Sequence, residues 1–87
     1  MSTARMRLIT AHGVEAIEIA DEQQRSVVGR HSNAVGRFLA TGDTDVLAPF
    51  VGVVIADREL LTDPHQLESW AADGELDFED LYDVTGW

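Results

Sequence analysis

The chain contains no cysteine. That absence excludes disulfides, thiol catalysis and thiolate metal sites together. Lysine is absent as well: all six basic residues are arginine, a compositional mark of a GC-rich genome. Long apolar runs are missing, and none reaches the roughly 18 residues that a membrane-spanning helix needs. Near the start only Leu8-Ile9 follows Arg5-Met-Arg7 before polar residues return, so the apolar core of a signal peptide is not found. The expectation is a soluble, cytoplasmic protein. Phosphate-cradling Gly-x-Gly-x-x-Gly or Walker loops do not occur, and neither does a Gly-x-Ser-x-Gly nucleophile elbow. Nothing in the sequence points to a cofactor or a metal, and the expectation is that the protein is not an enzyme.

What is present is enough for one small folded domain over residues 1–87. Apolar residues make up 45 % of the chain, too many for a disordered segment. A chain this short buries roughly 60–65 % of its unfolded surface. Without disulfides it must depend on packing or on a partner. Six basic residues face sixteen acidic ones, a formal net charge of −10. The charge is divided unevenly. Residues 1–41 hold five arginines against four carboxylates; residues 42–87 hold Arg58 alone against twelve. An acidic field of this kind repels nucleic acid, whose binding rests on neutralising phosphates. It favours solubility or a cationic partner.

Residues 5–10 and 14–20 are rich in β-branched side chains and are separated by Ala11-His12-Gly13, the pattern of a hairpin. Asp21 then suits a helix N-cap. Val27, Val28, His31, Ala34, Val35, Phe38 and Leu39 follow at helical spacing, with Ser26, Arg30, Asn33 and Arg37 opposite. A helix over 22–40 is predicted, closed by Gly42 in the left-handed conformation. Val46-Leu47-Ala48 can make one helical turn before Pro49. The run Phe50–Ala56 predicts a strand central to a sheet, turning at Asp57-Arg58 and returning over 59–62. Asp63-Pro64 opens a second helix with Leu67, Trp70 and Ala71 as its apolar stripe and Gly74 as its stop. Asp77 can cap a last short helix.

Several constellations are weighed and set aside. His65 and Glu68 share a helix face, but the spacing occurs once and in the order opposite to that of di-metal bundles. Asp43-Thr44-Asp45 begins like a calcium loop, yet Ala48 and Val54 stand where glycine and glutamate are required. His31, on the apolar stripe, reads as a hydrogen-bonded core histidine, with a pH-sensitive or partner-binding group as the alternative. A hydrolytic reading needs a concave pocket with His31 or His65 beside a carboxylate.

Two features point outward. Gly29, Ser32 and Gly36 share one face of the long helix, flanked by Arg25, Arg30 and Arg37, and read as a docking face for a partner or a second copy. The last eleven residues alternate acids with aromatics, so Asp77, Glu79 and Asp80 read as steering charges and Phe78, Tyr82 and Trp87 as anchors in a partner-binding segment.

The segments Val28–Asp43, Thr62-Asp63-Pro64 and Gly74–Tyr82 resemble a pattern in small acidic proteins of actinobacteria and their phages. The resemblance covers roughly residues 25–83 and implies a bacterial or phage setting, with no activity to transfer.

The sequence therefore predicts an α+β fold: a small, mostly antiparallel sheet of three or four strands, one long amphipathic helix and two short C-terminal helices. It predicts a protein-interaction module that engages a partner with a basic surface, with homodimerisation as a further option, without direct nucleic-acid binding or a membrane. The alternatives are a DNA-mimicking regulator and an accessory subunit of an enzyme.

Overall fold

The computed structural model describes residues 3–76. Their order is β1 (Ala4–Thr10), β2 (Gly13–Ile19), α1 (Glu22–Thr41), a 3-10 helix (Thr44–Phe50), β3 (Val54–Ile55), β4 (Arg58–Glu59) and α2 (Pro64–Ala72). No helix among these residues is long and apolar enough to cross a membrane.

β1 and β2 pair antiparallel from Ala4↔Ile19 to Thr10↔Gly13. Gly13 takes φ 115° at the turn, a value that costs glycine little. The Thr10 hydroxyl fastens this corner. It accepts from the His12 amide at 3.2 Å and donates to a Glu15 carboxylate oxygen at 2.7 Å.

α1 begins where expected. Asp21 accepts from the Gln23 and Gln24 amides at 2.8 and 3.3 Å, satisfying two of the helix's free N–H groups. Gly42 ends it at φ 77°, its amide donating to the Phe38 carbonyl at 2.7 Å. α1 spans two apolar clusters. Its first half packs Val28 with Met6, Leu8, Ile19, Ile55 and Leu60; its second half packs Val35 and Phe38 with Ile9, Leu47, Leu67 and Leu76. Asp63 caps α2 through the His65 amide at 3.0 Å, with Pro64 in the first turn and Leu67 buried.

The expected central strand over 50–56 does not form. Pro49 and Phe50 belong to the 3-10 helix, and a type II turn follows it. Val51 has φ −62° and ψ 125°, Gly52 has φ 77°, and the Val53 amide donates to the Phe50 carbonyl at 3.1 Å. Only Val54 and Ile55 remain as strand, paired with Glu59 and Arg58. The fold is α+β with antiparallel pairing, but in two separate two-stranded sheets instead of one sheet of three or four strands. A single backbone bridge among the described residues, Thr10↔Leu60, links the two, and beside it the Leu61 amide donates to the Ile9 carbonyl at 2.8 Å. Of the two short C-terminal helices, α2 is present; the second, from Asp77, lies outside the described residues.

The β3–β4 turn falls one residue earlier than predicted, on Ala56 and Asp57, with φ 50° and 68°. Two positive φ values make a type I′ turn, which matches strand twist but strains side chains other than glycine, asparagine or aspartate. Ala56→Gly is therefore expected to stabilise the protein by about 0.5–1 kcal/mol, since left-handed backbone costs alanine about 1–2 kcal/mol and glycine's greater chain entropy offsets part of the gain. A melting temperature raised by a few degrees is the expected readout; an unchanged or lower one would contradict the turn assignment.

Candidate functional site

The predicted partner-binding residues Asp77, Phe78, Glu79, Asp80, Tyr82 and Trp87 lie outside the described residues. The proposed helix face divides. Gly29 and Ser32 are buried within the chain itself and Gly36 is half-buried, so this side of α1 faces the protein's own core and offers no open surface at Gly29 and Ser32. Arg30 and Arg37 are exposed on the other side. With Asn33, Ala34 and Val46 they line a shallow cavity of about 280 Å³. Ala34 and Val46, both half-buried, belong to the margin of the core around Phe38. Neither guanidinium has a hydrogen-bond or ion-pair partner among the described residues, whereas that of Arg25 is held by the Ile19 and Ala20 carbonyls and by Glu22.

His31 is fully buried. Its Nε2 lies 2.7 Å from the Leu61 carbonyl oxygen, and the ring meets Phe50 edge-on at 5.3 Å. A carbonyl only accepts, so Nε2 carries the proton and Nδ1 is an acceptor, without a partner among the described residues. Burial pushes the His31 pKa below its ordinary value, more strongly than the Leu61 bond raises it. The ring is thus neutral at pH 7. His65 is exposed on α2.

A second cavity, of about 330 Å³, opens between the two hairpin turns, and the sequence reading missed it. Thr10, His12, Glu15, Asp57, Arg58 and Glu59 are among its walls. Glu15 is engaged at both oxygens, by Thr10 at 2.7 Å and by the Arg58 Nε at 3.4 Å. The Thr10 hydroxyl, then Arg58 and His12, lower its pKa against a smaller opposing effect of burial. Such a carboxylate holds its charge firmly and is a poor proton acceptor. Arg58 also donates to the Ala56 carbonyl at 2.8 Å. No local signal could have revealed this arrangement, because Glu15 and Arg58 are far apart in sequence and meet only when the second hairpin folds onto the first.

The remaining surface of the second half is acidic. Every carboxylate from Asp43 to Glu75 is exposed, eight in all, with Arg58 as the sole arginine of that stretch. Val51 and Val54 stand among them at 68 % and 55 % exposure. No group of three or more metal-binding side chains comes together among the described residues.

Comparison with known proteins returns no matching family, no matching curated protein and no matching solved structure.

Proposed function

We propose that the protein is a protein-interaction module without catalytic activity, a small accessory protein of a bacterial or phage setting, whose acidic second half engages a basic surface on a partner. The observation that carries this reading is the exposed, almost uncompensated run of carboxylates from Asp43 to Glu75, with Val51 and Val54 exposed in its midst. The one arginine there is already committed to Glu15 and to the Ala56 carbonyl. Charges of one sign on a surface steer an oppositely charged partner, and apolar side chains between them supply contact area once water is displaced. In sequence the same pattern continues past Leu76, where Asp77, Glu79 and Asp80 add steering charge and Phe78, Tyr82 and Trp87 add aromatic anchors.

The test is affinity capture from the source cell with the full chain as bait. A bait carrying Asp77→Lys, Glu79→Lys and Asp80→Lys is expected to recover its principal basic partner at least about tenfold less well than the unaltered chain, as for loss of a few desolvated charge contacts. A control bait with Glu18→Lys and Glu22→Lys keeps the recovery. Equal recovery by all three baits would overturn the reading.

A further inference from the structure

The exposed face of α1 runs against the sign of the rest of the molecule. Between Glu22 and Asp43 the chain has no carboxylate, and it has Arg25, Arg30 and Arg37. Arg25 is spent on the Ile19 and Ala20 carbonyls; Arg30 and Arg37 are exposed and unpaired among the described residues. They stand seven residues apart, about 10 Å along the helix axis, with Asn33 between them and Ala34 and Val46 as an apolar floor. Two cations that far apart suit two separate carboxylates better than one phosphate, which needs donors converging on a point. Two arginines on a chain of net charge −10 also make a poor nucleic-acid surface.

The other end of the molecule presents the complement. Glu68, midway along α2, and Asp73 and Glu75, beyond its last turn, are all exposed. The last turn of α2 has no basic residue, and after Arg58 the sequence has no further arginine. A helix C-terminus carries partial negative charge, so carboxylates there are locally unfavourable until a cation approaches.

We infer that the Arg30–Asn33–Arg37 groove binds the acidic end of α2, Glu68 to Glu75, in a second copy of this chain. The inference rests on the preceding reading and names one partner for the acidic half. Its salt dependence is unusual. Two molecules of charge −10 repel at long range when salt is scarce, while at about 0.15 M the Debye length is about 8 Å, so distant charges are screened and contact pairs much less so. Self-association is strongest at intermediate salt and weaker on either side.

Sedimentation velocity on the full chain tests this, up to roughly 1 mM, where a weak contact shows. The expected result is a concentration-dependent rise above the 9.6 kDa monomer. Arg30→Glu with Arg37→Glu stays monomeric, and so does Glu68→Arg with Asp73→Arg, each keeping its circular dichroism spectrum because the altered residues are exposed. Mixing the two variants restores association, since each groove again meets opposite charge. A wild-type chain that is monomeric at every salt concentration overturns the inference, and so does association that survives both charge reversals or a mixture that fails to pair. Those outcomes leave the capture experiment free to support or sink the broader reading independently.

Discussion

Phe38→Ala is expected to cost the protein about 3–5 kcal/mol of its folding stability. Phe38 is 1 % exposed and packs with Ile9, Val35, Leu47, Leu67 and Leu76, so it joins β1, α1, the 3-10 helix, α2 and the chain beyond α2 in one cluster. Removing a ring from such a site costs its transfer energy and leaves a cavity, together about 3–5 kcal/mol. A domain of this size holds about 4–13 kcal/mol in all. A urea titration followed by circular dichroism is expected to show a midpoint moved far toward zero denaturant. Val51→Ala serves as the contrast: at 68 % exposure it should move stability by no more than about 0.5 kcal/mol. Equal midpoints for the two variants would show that the second half of α1 carries no core.

Acid weakens the fold through His31. The folded protein holds His31 neutral, with its pKa lowered from 6.5 by burial, while the unfolded chain takes up a proton near the ordinary value. Below about pH 6.5 the unfolded state therefore binds more protons than the folded state, and stability falls as pH falls. The slope approaches about 1.4 kcal/mol per pH unit for one proton and persists until the folded pKa is reached. Above pH 6.5 this contribution is fully present. Glu15, whose pKa is also lowered, adds a separate loss that starts only near its ordinary value of 4.5. Urea midpoints at pH 7, 6 and 5 measure the first window alone. His31→Gln keeps an N–H donor for the Leu61 carbonyl and cannot titrate. It should be less stable at pH 7, by about 1–3 kcal/mol for an imperfectly filled and bonded site, with a flatter dependence between pH 7 and 5. A variant with the same slope as the parent would show that His31 is not the group responsible.

Much of the architecture is legible in local pattern. The stripe from Val27 to Leu39, the cap at Asp21, the stop at Gly42 and the Asp63-Pro64 start each depend on residues within a turn or two of one another, so the sequence states them directly. The run from Phe50 to Ala56 shows where that directness fails. Its β-branched residues argue for a strand, but Gly52 after Val51 satisfies a type II turn, and the resulting bend leaves Val51 and Val54 in solvent. Gly52 was the available warning. The face of Gly29 and Ser32 posed a different ambiguity: small residues admit a close neighbour, and periodicity does not say whether that neighbour is the same chain. Here, for these two residues, it is. The Thr10–Glu15–Arg58 arrangement had no local trace at all, because it depends on where two turns meet.

Leu61 ties distant parts of the chain through one residue. Its amide donates to the Ile9 carbonyl and its own carbonyl receives the His31 proton donor. The first hairpin and α1 can each begin from neighbours in sequence, whereas these two bonds require the intervening chain to come round and close. Loop-closure entropy of that kind must be met before the contacts return anything, and it sets the slow part of folding in small domains. The return of Leu60-Leu61 to β1 is thus one of the long closures the fold must make, and a synthesising ribosome cannot complete the fold until that segment has emerged.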